Sequence, residues 1–218
     1  MSKTKVFITG VLGMLGSCVE RVLQPTYEVY GCDQIESIPL LSNYDNFFKI
    51  NLLEYKKVKQ LLNAFTPEVI IHCAALTDVE GCELNPKIAR VNNYEVTRFL
   101  AEQAKTLKAK LIYISTDSVF DGTKKQPYTE DDLPNPTNAY SETKYLGEQA
   151  VKENLNNYII LRTNIFGWNI QPKTSLTEWV LKSLQDNQKI KMFTMFYFTP
   201  LYITNLAYII GDLIKKDI

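Results

Sequence analysis

Lys5-Val-Phe-Ile-Thr9 runs directly into Gly10-Val-Leu-Gly13-Met-Leu-Gly16, and this junction decides the fold. A short apolar run rich in β-branched residues reads as a buried strand, and a helix reaching about Gln24 follows the glycines. Glycine permits the tight turn and the close approach of backbone to a ligand. A strand that enters a helix through such a turn offers free N–H groups and the positive end of the helix dipole, which suits a phosphate. An acid, Asp33, follows at the end of a second strand over residues 27–32. A carboxylate there can accept from a ribose 2′-hydroxyl, and no arginine adjoins it to receive a 2′-phosphate. Together these features point to a dinucleotide, with NAD(H) favoured by Asp33 and NADP(H) not excluded.

Outward from the junction, β-branched runs alternate with helical stretches. Strands are predicted over residues 47–50, 68–73, 110–115 and 158–162. Helices are predicted over residues 54–65, about 86–107, from Tyr140 onward, about 175–185 and about 203–216. Strands alternating with helices imply right-handed parallel βαβ units with helices on both faces. The expected fold is therefore α/β, a doubly wound parallel sheet of the Rossmann type. Residues 1–165 are expected to form the dinucleotide-binding domain. Residues 166–218 are expected to form a small, reduced substrate-binding part interleaved with the last elements of the sheet.

Composition removes several classes of function. The chain has 218 residues, 45% hydrophobic and 22% charged, which is ordinary for a globular protein. Lys+Arg and Asp+Glu both number 24, so no basic excess is available for nucleic acid. The one histidine, His72, leaves no His-rich zinc site and reads as a packed, hydrogen-bonded ring at a strand end. Cys18, Cys32, Cys73 and Cys82 form no CxxC pair and read as reduced thiols. With too short an apolar run at the N-terminus for a signal peptide, the expected location is cytoplasmic. Residues 192–211 carry no charge over nearly the length of a membrane span, but Pro200, Asn205 and three threonines interrupt them. They read as core or pocket, with no membrane partner.

Tyr140-Ser-Glu-Thr-Lys144 places a phenol and an ammonium on one helix face. A free phenol has a pKa of about 10, and a neighbouring cation would lower it toward use as a general acid. Spacing alone is weak, since Tyr55 and Lys59 repeat it on what reads as surface. Position decides: Ser115-Thr-Asp-Ser-Val-Phe-Asp-Gly122 follows the fifth strand, at the sheet edge where ligands of open α/β folds collect. There the Thr116 hydroxyl can bond a substrate carbonyl while Tyr140 protonates its oxygen.

These residues, in order, resemble the extended short-chain dehydrogenase/reductase superfamily, most closely the dTDP-4-dehydrorhamnose reductase family. The resemblance spans about residues 4–167, with a weaker tail. It rests on the glycine motif, His72-Cys-Ala-Ala-Leu-Thr-Asp78, Val91-Asn92, Ser115-Thr-Asp117, Val119-Phe-Asp-Gly122, Tyr128-Thr-Glu-Asp-Asp132 and Asn135-Pro136. Tyr140 with Lys144, Gly147-Glu148 and Leu161-Arg-Thr163 complete it. It implies Thr116, Tyr140 and Lys144 as catalytic residues. Beside Gly10, Gly13, Gly16 and Asp33 it implies cofactor contacts from Leu12, Met14, Leu15, Asn51, Leu52, Cys73, Ala74, Ala75, Thr77, Asn92, Tyr140, Lys144 and Thr163. It implies substrate contacts from Thr77, Val119, Phe120, Thr163, Asn164, Phe198 and Pro200, and no metal.

The activity implied is NAD(P)H-dependent reduction of a 4-keto-6-deoxy nucleotide sugar in cell-surface carbohydrate synthesis. Two alternatives share the motifs: a non-catalytic dinucleotide-binding regulatory subunit like the methionine adenosyltransferase β subunit, and a nucleotide-sugar epimerase. Ser118 stands where the reductases commonly carry tyrosine and the related dehydratases a catalytic glutamate, which argues against dehydration. The arginine expected just before Tyr197 is missing, at a place where a nucleotide diphosphate would be recognised. The chain is also short beside the family, so the usual cover of its C-terminal part is expected to be either absent or supplied by a second copy or a partner chain.

Overall fold

The computed structural model describes residues 3–36, 46–192, 194–195 and 197–216. Residues 1–2 of the amino-terminal run, and Phe193 and Phe196 of the uncharged stretch, lie outside the described residues.

The first strand, β1 (Lys5–Thr9), leads through the glycines into α1 (Met14–Leu23), and β2 (Glu28–Asp33), β3 (Phe47–Lys49) and α2 (Tyr55–Phe65) follow. Next come β4 (Val69–His72), the short helices α3 (Val79–Leu84) and α4 (Pro86–Ala89), a π-helical segment Arg90–Glu95, and α5 (Val96–Leu107). The chain continues with β5 (Lys110–Ser115), a 3-10 turn (Asp117–Val119), α6 (Ala139–Asn154), β6 (Tyr158–Arg162), β7 (Asn164–Phe166) and α7 (Leu176–Gln185). It ends with β8 (Pro200–Tyr202) and α8 (Ile203–Lys215).

Six strands form one parallel sheet in the order β3-β2-β1-β4-β5-β6. The order reverses beside β1, so the carboxyl ends of β1 and β4 flank the crevice where doubly wound folds take ligands. Side chains alternate across the sheet. Val6 and Ile8 pack with Leu15, Val19, Leu206 and Ile210 from α1 and α8, whereas Phe7 packs with Val58, Leu62 and Leu100 from α2 and α5. From Pro200 on, the uncharged C-terminal stretch forms β8 and the first part of α8, with Ile203, Leu206, Ala207 and Ile210 buried. Each of the buried Ile and Leu side chains contributes roughly 1.5–3 kcal/mol to holding α8 on the sheet. Among the described residues no helix is long and apolar enough to cross a membrane.

Two features differ from the expectation, and a third fixes an expected element. The helix over residues 86–107 is not uniform: its π-helical segment sets Asn93 inward, and α3 precedes it. A second, two-stranded parallel sheet pairs Asn164 with Pro200, Ile165 with Leu201 and Phe166 with Tyr202. Three-residue strands are too short to show a period in sequence. Finally, α6 begins at a capping box, where Asn138 and Ser141 satisfy each other's backbone N–H groups. That box fixes the start of the helix that carries Tyr140 and Lys144.

Candidate functional site

A cavity of about 690 Å³ opens at the carboxyl edge of the sheet, a size suited to a dinucleotide and part of a second ligand. Its floor is the glycine turn. Gly10 has φ +66°, and a Cβ there would lie 2.8 Å from the backbone of Ala74. A Cβ on Gly16 would lie 2.1 Å from the Gly10 carbonyl oxygen, so the helix can enter this close only with glycine at that position. Gly13 caps α1 without a side chain, and no acid sits in the first turn. The first-turn residues Met14, Leu15 and Gly16 line the cavity, leaving their backbone donors for a ligand.

Asp33 borders the same floor. One carboxylate oxygen accepts from Leu12 N–H at 3.1 Å; the other accepts from Gln34 N–H at 2.8 Å and Ile35 N–H at 3.5 Å. Burial raises its pKa, against these bonds. The carboxylate therefore both ties β2 to the glycine turn and stands at the cavity wall.

Behind the floor runs a buried polar chain. His72 Nδ1 is 2.7 Å from Thr9 Oγ1 and Nε2 is 3.1 Å from Thr97 Oγ1, and Thr97 donates to the Asn93 carbonyl at 2.6 Å. The Asn93 side chain accepts from Leu76 N–H at 2.8 Å and donates to Leu76 O at 3.1 Å and Thr143 Oγ1 at 3.2 Å. Burial, with the Lys144 charge as a lesser cause, holds the His72 pKa down at about 3. His72 is a neutral packed ring, as its place in the sequence suggests.

The residues expected to carry chemistry converge on the far wall. Thr116 accepts from Ser118 N–H at 3.1 Å, which shapes the 3-10 turn, and its hydroxyl lies near the Tyr140 side chain. Burial pushes the Tyr140 phenol up to about 12, and the neighbouring Thr116 hydroxyl opposes this. Lys144 is buried, donates from Nζ to Ile114 O at 2.6 Å and lies 4.2 Å above the Tyr113 ring. Burial brings its pKa down to about 7. This corrects one expectation. The i, i+4 spacing does set both residues on one face, but the Lys144 ammonium is drawn to the end of β5 and does not depress the phenol in this structure. The wall is braced from below by Glu148, wholly buried, which accepts from Ser115 Oγ at 2.6 Å and from Arg162 at 2.7 Å.

Of the residues predicted for the site, Gly10, Gly13, Met14, Leu15, Gly16, Asp33, Asn51 and Leu52 all line the cavity. So do Cys73, Ala74, Ala75, Thr77, Asn92, Thr116, Tyr140, Lys144, Thr163 and Asn164. Five predicted residues are not brought to its wall. Leu12 is buried, with its N–H already given to Asp33. Val119 is buried in the turn, and Phe120 stacks on Tyr128 with its ring centroid 4.3 Å away. Phe198 and Pro200 lie at the exposed approach to and start of β8. The sequence reading missed Gln34, Ile35, Leu76, Ser118, Asn169, Gln171 and Lys173, which also line the cavity. The last three alternate along the segment before α7, a polar i, i+2, i+4 pattern outside any predicted element. Among the described residues no group of three or more His, Cys, Asp or Glu could hold a metal, and the four cysteines are free thiols.

Comparison with known proteins places this geometry in context. A family profile described as RmlD substrate binding domain matches residues 4–218. "Methionine adenosyltransferase 2 subunit beta" of Rattus norvegicus is 34% identical over 215 residues, covering 97% of this chain and 62% of the relative. "Probable low-salt glycan biosynthesis reductase Agl14" of Haloferax volcanii is 32% identical over 207 residues, covering 92% of this chain and 67% of the relative. Among solved structures, dTDP-4-dehydrorhamnose reductase from Bacillus anthracis in complex with NADP superposes with a TM-score of 0.87 at 31% identity. The match covers all of this chain and 72% of that one. This chain therefore spans less than two thirds of the length of the adenosyltransferase subunit.

Proposed function

Because the chain belongs to the RmlD substrate binding domain family, the dTDP-4-dehydrorhamnose reductase branch of the extended short-chain dehydrogenase/reductases, we propose that it is an NAD(P)H-dependent sugar-nucleotide reductase. Its substrate would be a 4-keto-6-deoxy nucleotide sugar made for cell-surface carbohydrate in the cytoplasm. The observation that carries the reading is that Thr116, Tyr140 and Lys144 line the same cavity that holds the uncapped start of α1.

The glycine turn and the cavity fit a dinucleotide: side chains are excluded at Gly10 and Gly16, and first-turn donors are left free. Met14, Leu15 and Gly16 would hold the pyrophosphate, Asp33 the adenosine ribose, with NADH preferred, and Cys73, Ala74 and Ala75 the central part. Bound there, the nicotinamide supplies the hydride for the ketone carbon. Tyr140, held as the neutral phenol by burial, gives its proton to the ketone oxygen, which leaves a phenolate. Thr116 holds that oxygen in line with the phenol. Lys144, one helical turn away, is placed to turn from Ile114 O toward the ribose and the new phenolate, and to steady its charge. We assign residues 1–165 to cofactor binding and 166–218 to a reduced substrate part.

A second reading is a dinucleotide-binding regulatory subunit without turnover, and what supports it is that the 34%-identical relative is named as a subunit of a methionine adenosyltransferase. One experiment separates the two. The purified protein is titrated with NADH and then mixed with dTDP-4-keto-6-deoxyglucose while absorbance at the NADH band is followed. Oxidation that needs the ketosugar supports the reductase. Clean NADH binding with no oxidation by any keto-sugar nucleotide overturns it in favour of the subunit.

A further inference from the structure

The segment between β7 and α7 spans the mouth of the cavity and is tied to both of its sides. Gln171 Nε2 donates to the Leu12 carbonyl in the glycine turn at 2.7 Å. Two residues on, Lys173 Nζ donates to Thr77 Oγ1, in the loop after β4, at 3.1 Å. Asn169, Gln171 and Lys173 all line the cavity.

The cavity wall carries three charged side chains among the described residues: Asp33, Lys144 and Lys173. Asp33 is an anion already engaged by backbone donors. Lys144 is buried and spends its ammonium on the Ile114 carbonyl. Lys173 is the exposed cation, and its hydrogen-bond partner is a neutral hydroxyl. Exchanging a hydroxyl for a phosphate oxygen turns a neutral-acceptor bond into a charge-assisted pair, which is the stronger of the two. A ligand with a diphosphate in this cavity therefore meets one exposed cation, at its mouth, on a segment already pinned across the cleft. The segment also supplies positive charge that the sequence lacks just before Tyr197.

We propose that Lys173 is the residue that recognises a ligand diphosphate in this cavity, releasing Thr77 as the ligand enters. The proposal rests on the nucleotide-sugar reading for the identity of one of the two diphosphates that reach the site; the other is the pyrophosphate of the dinucleotide.

The test measures binding of NADH and, separately, of thymidine diphosphate and thymidine monophosphate by calorimetry. It uses the wild-type protein, Lys173→Ala and Lys173→Arg. Loss of a charge-assisted bond weakens binding by about tenfold. The expected result is that Lys173→Ala binds thymidine diphosphate about tenfold more weakly. The monophosphate should be less affected, NADH unchanged and Lys173→Arg restored. A loss confined to NADH supports the cation role and assigns it to the dinucleotide. Unchanged affinity of Lys173→Ala for both diphosphate ligands overturns the proposal. Because these are binding measurements, they remain decisive even if no keto-sugar is turned over, so failure of the reductase reading shows separately.

Discussion

Acidification should reveal the buried state of His72 directly, because the chain has a single histidine. Its ring sits between two threonine hydroxyls whose roles are fixed by their other bonds. Thr97 gives its proton to the Asn93 carbonyl at 2.6 Å, so it must accept from His72 Nε2–H. Nδ1 must then accept from Thr9, whose oxygen also lies 3.4 Å from the Ala74 N–H. Protonation would place a second N–H against the donating Thr9, in a site closed to water and near Lys144. Burial accordingly lowers the pKa from 6.5 to about 3. In the unfolded chain the ring takes its proton at about 6.5. Between these values the unfolded state binds more protons, so stability falls as pH drops and is unaffected by His72 above about 7. The loss should be roughly 2 kcal/mol by pH 5 and on the order of 5 kcal/mol by pH 3. Ring carbon and proton shifts report it without interference from carboxylates. The folded protein should show one ring signal, of the Nε2–H tautomer, that does not move from pH 8 to pH 5. A ring that titrates near 6.5 while the protein stays folded would refute the reasoning.

Three substitutions test the frame around the site. Glu148→Ala leaves Arg162 and Ser115 without their buried partner and should cost about 3–5 kcal/mol by denaturant unfolding. The double replacement Glu148→Met with Arg162→Met should recover most of that loss; failure to recover it would show that the pair does more than satisfy itself. Gly16→Ala sets a Cβ against the Gly10 carbonyl, so the turn must open. NADH affinity should fall below detection in fluorescence titration, with a stability loss of at least about 1 kcal/mol. Asn93→Ala strips Leu76 of both side-chain partners and should cost about 1–3 kcal/mol, with faster amide exchange at Leu76. Wild-type exchange there would remove Asn93 from the support of the loop.

The parallel sheet was legible because its strands are buried on both faces and read as short apolar runs, and the glycine junction told where the crevice lies. Most of the cavity wall follows from that, since Gly10, Asp33, Cys73 and Thr116 sit at strand ends or just beyond them. The legible part stops where position depends on tertiary contacts. The direction of the Lys144 ammonium is set by the Ile114 carbonyl and the Tyr113 ring, which helical spacing does not encode. The inward turn of Asn93 needs a π-helical segment that its sequence does not announce. Asn169, Gln171 and Lys173 come from a segment outside any predicted element, held at the cavity by the Gln171–Leu12 and Lys173–Thr77 bonds. Pro200 starts β8 at an exposed position and Phe198 lies exposed two residues before it, so neither reaches the wall.

The measurement that bears most directly on the central claim is single-turnover NADH oxidation with dTDP-4-keto-6-deoxyglucose by the wild-type protein and by Tyr140→Phe. Removing the phenol proton at the cavity wall should lower the rate constant by about 100-fold or more while the NADH dissociation constant stays within a factor of two. Equal rates in the two proteins would contradict the account.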